Sequence, residues 1–138
     1  MNPYTAFPAL DGGFCCDQTV TYDRPHDLMI WQLQYTYSAA TMKGSHRIAF
    51  AAGGSVASFG WCYYDFSPSN FGLPAGLWLD YPNVALSNNF VWYTANVYNA
   101  AGAWQDTLIW RIPLTPVTTC SGFTYNYFVV NDRFNFTP

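Results

Sequence analysis

The stretch that decides the fold lies at residues 79–114 and reads LDYPNVALSNNFVWYTANVYNAAGAWQDTLIWRIPL. This stretch predicts a strand, a tight turn, a long strand, a loop and a third strand. Asn88 and Asn89 form the turn, because Asn tolerates left-handed backbone geometry. Pro113 closes the third strand, because proline cannot donate a hydrogen bond to a ladder. A weaker copy of the same pattern begins at residue 16 and ends near residue 51.

Composition points to the same class of structure. Of the 138 residues, 20% are aromatic and only 9% are charged, with no Glu and with Lys43 as the only Lys. Aromatic and β-branched residues favour strands, whereas Glu and Lys are typical of helices. The sequence therefore predicts a single all-β unit over residues 1–138.

Charge and hydropathy exclude several classes of partner. The net charge is −3, and the five basic residues are scattered along the chain, so neither nucleic acid nor an anionic membrane surface is expected to bind. No apolar run approaches the roughly 20 residues of a membrane span. Because the chain is rich in Tyr, Trp, Asn and Thr, we expect a secreted or extracellular protein, although no signal peptide is present in this sequence.

Alternation of polar and apolar residues places the strands. Eight strands are predicted, at residues 18–23, 27–37, 46–52, 58–66, 83–87, 90–98, 107–114 and 122–130. The second is the clearest, since Trp31, Leu33 and Tyr35 lie on one face and Gln32 and Gln34 lie on the other.

An internal repeat organises these strands into two sets of four. Repeat 1 covers about residues 10–73 and repeat 2 about residues 74–136. Matching residues keep a nearly constant separation, such as Val20 and Val84 (84 − 20 = 64) or Gly60 and Gly122 (122 − 60 = 62). Repetition of a four-stranded antiparallel unit of this size is typical of β-propeller blades.

The phrases CDQTVTYD, DLMIWQLQY, LDYPNVALSNNFVWY and RIPL resemble blades of secreted bacterial β-propeller proteins. The resemblance implies two propeller-like blades, whose first strands line a central channel and whose loops at one end carry the binding site. Propellers close with about 4–8 blades. The chain is therefore expected either to be part of a longer propeller or to form a homo-oligomeric ring. The alternative fold is an eight-stranded barrel or sandwich.

Exposed blade faces would have a further consequence. Two isolated blades leave aromatic surfaces in water, which favours association. We therefore expect oligomers or poor solubility of the lone chain.

Five residues are candidates for a binding site. Asp17 and Asp80 occupy matching positions at the entrance of each repeat, where paired carboxylates could hold a cation such as calcium or perform acid–base work. Alternatively, each Asp accepts backbone hydrogen bonds at a strand start. Trp78, Tyr81 and Trp104, the last expected in a loop, offer flat faces that suit stacking on a sugar ring.

The remaining reactive residues carry no catalytic motif. His26 and His46 are expected at the surface. The four cysteines allow three full pairings, and we expect buried thiols or one structural disulfide rather than redox chemistry or zinc binding. The candidates are Cys15, Cys16, Cys62 and Cys120.

Three functions are compatible with the sequence. The first is a non-catalytic propeller-type module that binds a glycan or another extracellular surface, with no cofactor beyond a weak case for calcium. The second is a fragment of a secreted propeller hydrolase or lyase that uses channel Asp residues. The third is a purely structural assembly subunit.

Overall fold

The structure is a computed structural model that describes residues 1–58 and 60–134. It is all-β, with short helices only at Gly53–Ser55, Pro68–Phe71 and Leu114–Val117 (α1) in the described part. The strands are β1 (Phe14–Asp23), β2 (Leu28–Tyr35), β3 (Lys43–Gly44), β4 (His46–Ala52), β5 (Cys62–Phe66), β6 (Leu77–Leu86), β7 (Phe90–Asn99), β8 (Trp104–Pro113) and β9 (Asn126–Val130). No helix in the described ranges is long and apolar enough to cross a membrane.

The strands form two sheets in which the long strands follow chain order. The first sheet has the order β1-β2-β4-β5, and the second has the order β3-β6-β7-β8-β9. All pairs are antiparallel except β3 with β6, which run parallel. Neither sheet closes on itself, so the barrel alternative is wrong.

The main hydrophobic core lies between the two sheets. It joins Ile30 and Phe50 of the first sheet to Leu79, Tyr93 and Trp110 of the second, all at most 1% exposed. The predicted alternation explains this packing, because every second residue of each strand turns toward the partner sheet. The two sheets therefore stabilise each other across one shared core.

The N-terminal segment covers the outer face of the first sheet. Phe7 packs on Trp31 there, with ring centroids 5.7 Å apart. Arg47 is buried in this layer, where it donates two hydrogen bonds to the Asp65 carboxylate, at 2.6 and 2.8 Å, and one to the Pro8 carbonyl at 2.6 Å. A buried guanidinium with these partners fixes the segment to the sheet.

The polar side of β2 is the side that faces the second sheet. Gln32 and Gln34 are 0% and 2% exposed, and they lie on the same face as the core residue Ile30. His46 pairs with Gln34 across the ladder and is also fully buried. The expectation that His46 lies at the surface is therefore wrong, because the second sheet covers this side chain.

Strand limits differ from the predicted limits in both repeats. In the first, β1 begins at Phe14 instead of 18 and β5 at Cys62 instead of 58. β6 begins at Leu77 instead of 83, because the ladder continues through an irregularity near Pro82. Trp104 begins β8 and does not lie in a loop. β9 begins at Asn126 instead of 122. Residue 59 of the fourth predicted strand and residues 135 and 136 of repeat 2 lie outside the described residues.

Candidate functional site

A β-bulge interrupts the first long strand of each sheet, β1 and β6. In β1 the three residues 15–17 lie opposite the single residue Gln34, and in β6 Tyr81 and Pro82 lie opposite Ala95. Each bulge contains a non-glycine residue with left-handed backbone, Cys16 at φ 60° and Tyr81 at φ 51°. β1 and β6 are also the strands through which the sheets approach each other most closely. Bulges redirect side chains and often lie beside functional sites.

Asp80, at the β6 bulge, connects the two sheets. Its Oδ1 atom accepts a hydrogen bond from Gln34 Nε2 at 2.7 Å and another from the Tyr81 backbone N–H at 2.8 Å. The carboxylate is half-buried. Its Oδ2 atom accepts no hydrogen bond from the part of the chain that the structure describes, so this oxygen can accept one from a ligand.

A buried polar layer lies behind this carboxylate, between the sheets. It consists of Gln32, Gln34 and His46. Burial lowers the pKa of His46 from 6.5 to about 3, against a weaker opposite effect of the nearby Leu79 backbone. The imidazole is therefore neutral at physiological pH and contributes no charge to the site.

Aromatic side chains surround Asp80 on the second sheet. The ring of Trp78 stacks on Tyr98, with centroids 5.2 Å apart and planes at 28°, and its Nε1 donates to the Asn99 carbonyl at 2.9 Å. Phe134 contacts the edges of Tyr81 and Trp104, at centroid distances of 6.2 and 6.1 Å. We refer to these five rings as the aromatic cluster: Trp78, Tyr81, Tyr98, Trp104 and Phe134.

Asp80 is close enough to act on the aromatic cluster electrostatically. Partial burial raises the pKa of the Tyr98 hydroxyl, and the negative charge of Asp80 raises it further. The Tyr98 hydroxyl therefore remains protonated and can donate a hydrogen bond beside a carboxylate that can accept one. Such paired donors and acceptors match the hydroxyl groups of a polyol.

The aromatic cluster is accessible to solvent. Tyr81 is 49% exposed and Phe134 is 54% exposed, while Trp78 and Trp104 are half-buried. Large apolar rings beside a few oriented polar groups are the usual composition of a small-ligand site.

The structure brings four of the five predicted site residues together and leaves one apart. Trp78, Asp80, Tyr81 and Trp104 belong to one surface, connected through Tyr98 and Phe134. Asp17 is exposed in the β1 bulge, and no hydrogen bond joins it to Asp80 within residues 1–58 and 60–134. The hypothesis of a paired-carboxylate site therefore stays a prediction.

Metal ligands are not grouped at this surface. Within the described residues, no three His, Cys, Asp or Glu side chains lie together in a way that could hold a metal ion. The calcium hypothesis therefore has no supporting geometry in this part of the chain.

Sequence reasoning missed three residues of the site: Gln34, Tyr98 and Phe134. Each belongs to a strand or segment that pairs with distant parts of the chain, so its neighbours depend on strand register. Alternation along β7 does place Tyr98 and Asn96 on one face. It does not show that Trp78 lies opposite Tyr98, which is a property of the β6–β7 ladder.

A second polar group, His26 with Asp23, lies at the β1–β2 turn beside the β6–β7 turn. His26 Nδ1 lies 2.6 Å from the carboxylate Oδ2 of Asp23, whose side chain is 6% exposed, whereas that of His26 is 30% exposed. The adjacent cleft, of about 560 Å³, lies between the β1–β2 turn and the β6–β7 turn. This contact with Asp23 accounts for the partial burial of the His26 side chain.

The cysteines form two disulfides instead of one. Cys62 and Cys120 are joined, with Cα atoms 5.7 Å apart, and this bond connects β5 to the loop before β9. The neighbours Cys15 and Cys16 are joined in the β1 bulge. The remaining pairings allowed by the sequence are thereby excluded.

Comparison with protein-family models, with curated proteins and with solved structures found no match to this chain.

Proposed function

We propose that this chain is a non-catalytic binding module of the β-propeller type and that it binds a glycan at the aromatic cluster. The observation that carries the proposal is the position of exposed Tyr81. It lies next to an oriented carboxylate, Asp80, and within one group of rings that includes Trp78 and Trp104.

The two sheets support the propeller part of the proposal. Both contain four antiparallel strands in chain order, and both carry a bulge in the first long strand, β1 or β6. The first strands are the closest pair between the sheets, as expected of strands that line a common axis. Two stacked sheets, each with four antiparallel strands in chain order, fit two successive blades, with the short β3 added at the edge of the second.

The chemistry of the cluster supports the glycan part. A sugar ring has an apolar face formed by its C–H groups, which packs on aromatic rings, and hydroxyl groups at its edge, which need donors and acceptors. Asp80 Oδ2 supplies an acceptor and the Tyr98 hydroxyl supplies a donor. Two disulfides are typical of an oxidising compartment, which suits a secreted or extracellular protein.

Binding to an array of immobilised glycans, followed by calorimetry with the best oligosaccharide, tests the proposal. Tyr81→Ala and Trp104→Ala each remove one ring of the cluster, and we expect affinity to fall by about tenfold or more, which corresponds to about 1.4 kcal/mol. Asp80→Asn keeps the shape and removes the charge, so we expect a smaller loss.

Tyr22→Ala is the matched control. Tyr22 is 48% exposed, against 49% for Tyr81, but it lies on the first sheet. Its substitution should leave glycan affinity unchanged. A folded protein that binds no glycan on the array, or an equal loss of affinity in Tyr22→Ala and Tyr81→Ala, would contradict the proposal.

Assembly is the part of the proposal that concerns partners. A ring of blades forms either from several copies of this chain or within a longer propeller. Light scattering coupled to size exclusion measures the mass directly, and we expect a multiple of the chain mass, such as three copies for six blades. A well-behaved monomer would exclude the homo-oligomeric ring.

A further inference from the structure

We propose that Cys15 and Cys16 form a redox-sensitive pair that controls the shape of the β1 bulge and, through Gln34, the contact between the two sheets. This inference is independent of the glycan proposal. It depends on the position of the pair in the ladder and on the contrast with what the second disulfide joins.

The two disulfides differ in what they join. Cys62 and Cys120 are separated by 58 residues, and their Cα atoms are 5.7 Å apart. Unstrained disulfides ordinarily span Cα distances of about 4.4–6.8 Å. Cys15 and Cys16 are neighbours in sequence with Cα atoms 3.7 Å apart, because one peptide bond joins them. A bond between neighbours closes an eight-membered ring, which is less favourable than a bond across a long loop.

Reagents can reach both disulfides. Cys16 and Cys120 are exposed and Cys15 and Cys62 are half-buried, and the neighbouring pair lies in an edge strand of the first sheet. Exposed disulfides in unfavourable rings are the more easily reduced members of a protein's set. A dithiol therefore reduces this pair first: its two sulfur atoms form a disulfide, and the Cys15–Cys16 bond takes up two electrons and two protons to give two thiols.

The pair also holds the backbone of the bulge. Cys16 has φ 60°, in the left-handed region that side-chain-bearing residues rarely adopt. The ring restricts this residue and its neighbour to few conformations. Reduction removes the restriction, so Cys16 can return to an extended conformation and the bulge can change shape.

A change in the bulge can reach the second sheet through Gln34. Residues 15–17 lie opposite Gln34 in the β1–β2 ladder. Gln34 Nε2 donates the hydrogen bond to Asp80 Oδ1 that joins the sheets. Opening the pair should therefore loosen this hydrogen bond, and the free thiols can re-form the pair with an oxidised glutathione as the disulfide reagent.

The first measurement is selective reduction of the full-length folded protein. The protein is treated with increasing dithiothreitol and alkylated, and the labelled peptides are identified by mass spectrometry. We expect Cys15 and Cys16 to be labelled at a dithiothreitol concentration at least about tenfold below that needed for Cys62 and Cys120. Labelling of all four at one concentration, or labelling of Cys15 and Cys16 without reductant, would overturn the proposal.

The second measurement follows the Gln34 side-chain amide by nuclear magnetic resonance. On selective reduction we expect its hydrogen exchange with water to become at least about tenfold faster. The double variant Cys15→Ser/Cys16→Ser should show the fast rate without reductant, while a Tyr4→Phe variant, which keeps all cysteines, should keep the slow rate. If the pair opens selectively and the exchange rate of Gln34 does not change, the connection to the second sheet is refuted.

Discussion

Gln34 of the first sheet donates a hydrogen bond to Asp80 of the second sheet, with 2.7 Å between Nε2 and Oδ1. The two residues are 46 positions apart and belong to different predicted repeats. This contact makes the orientation of the candidate site dependent on the packing of the two sheets.

The energy of this contact can be measured with a double-mutant cycle of Gln34→Met and Asp80→Ala. Hydrogen bonds to charged groups contribute about 1.5–3 kcal/mol, and Asp80 is only half-buried, so we expect a coupling energy of about 1.5 kcal/mol. Urea unfolding of the four proteins gives the value. Strictly additive single effects would show that the two side chains do not interact in solution.

The buried imidazole of His46 should make the protein sensitive to acid. Its pKa is 6.5 when unperturbed and about 3 in the folded protein. Because the unfolded chain takes up this proton at higher pH than the folded chain, stability from this group is complete above pH 6.5 and is lost as pH falls toward 3. The expected slope is about 1.4 kcal/mol per pH unit between those values.

This slope should disappear in His46→Gln. Unfolding free energies measured at pH 4.5, 5.5 and 6.5 in both proteins isolate the contribution of His46 from that of the carboxyl groups. His26→Gln serves as a control, since the side chain of His26 is 30% exposed and does not belong to the buried layer. An identical pH dependence in wild type and His46→Gln would contradict the buried neutral imidazole.

Asp65→Asn should destabilise the protein through Arg47. The side chain of Arg47 is 2% exposed, so removing the charge of its partner leaves a buried cation without compensation. Loss of one partner of a buried pair costs about 3–5 kcal/mol, and the one-third exposure of Asp65 places the expectation near 3 kcal/mol. Asp132→Asn removes an exposed carboxylate and should change stability by less than about 0.5 kcal/mol in the same thermal or urea experiment.

Gly12 lies where no side chain fits. A Cβ atom there would overlap the Thr36 hydroxyl and lie 2.7 Å from the Tyr37 carbonyl oxygen. We expect Gly12→Ala to lower the unfolding free energy by about 1–3 kcal/mol. Gly54→Ala is the matched control, because nothing lies within 4 Å of its added Cβ. Equal stabilities of the two variants would show that the N-terminal segment does not hold its described position.

Several elements of the fold follow from local sequence patterns. The alternation in 27–37 and the apolar run in 46–52 predict β2 and β4, because each strand's pattern is decided by the two faces of its own sheet. The chain order of the four longer strands in each sheet is the order that the predicted repeat gives. These properties need no information on distant contacts.

The site and the two-residue strand β3 depend on distant contacts. Gln34 and His46 are polar residues that lie in the core. Local pattern rules instead place polar residues on the solvent-facing side of a strand. Their burial results from the second sheet, which packs over them. Similarly, β3 contains only two residues and exists because β6 offers a parallel edge beside it. Neither sequence neighbours nor composition determine these arrangements.

The short strand β3 also affects what happens when a gene segment that encodes one half of the chain is duplicated or exchanged. Its residues Lys43 and Gly44 pair with the second sheet, and two residues later the chain enters β4 of the first. A duplication or exchange of genetic material cut between residues 73 and 74 would separate this edge from the sheet that it borders. Either half transferred alone should therefore lose this parallel pairing.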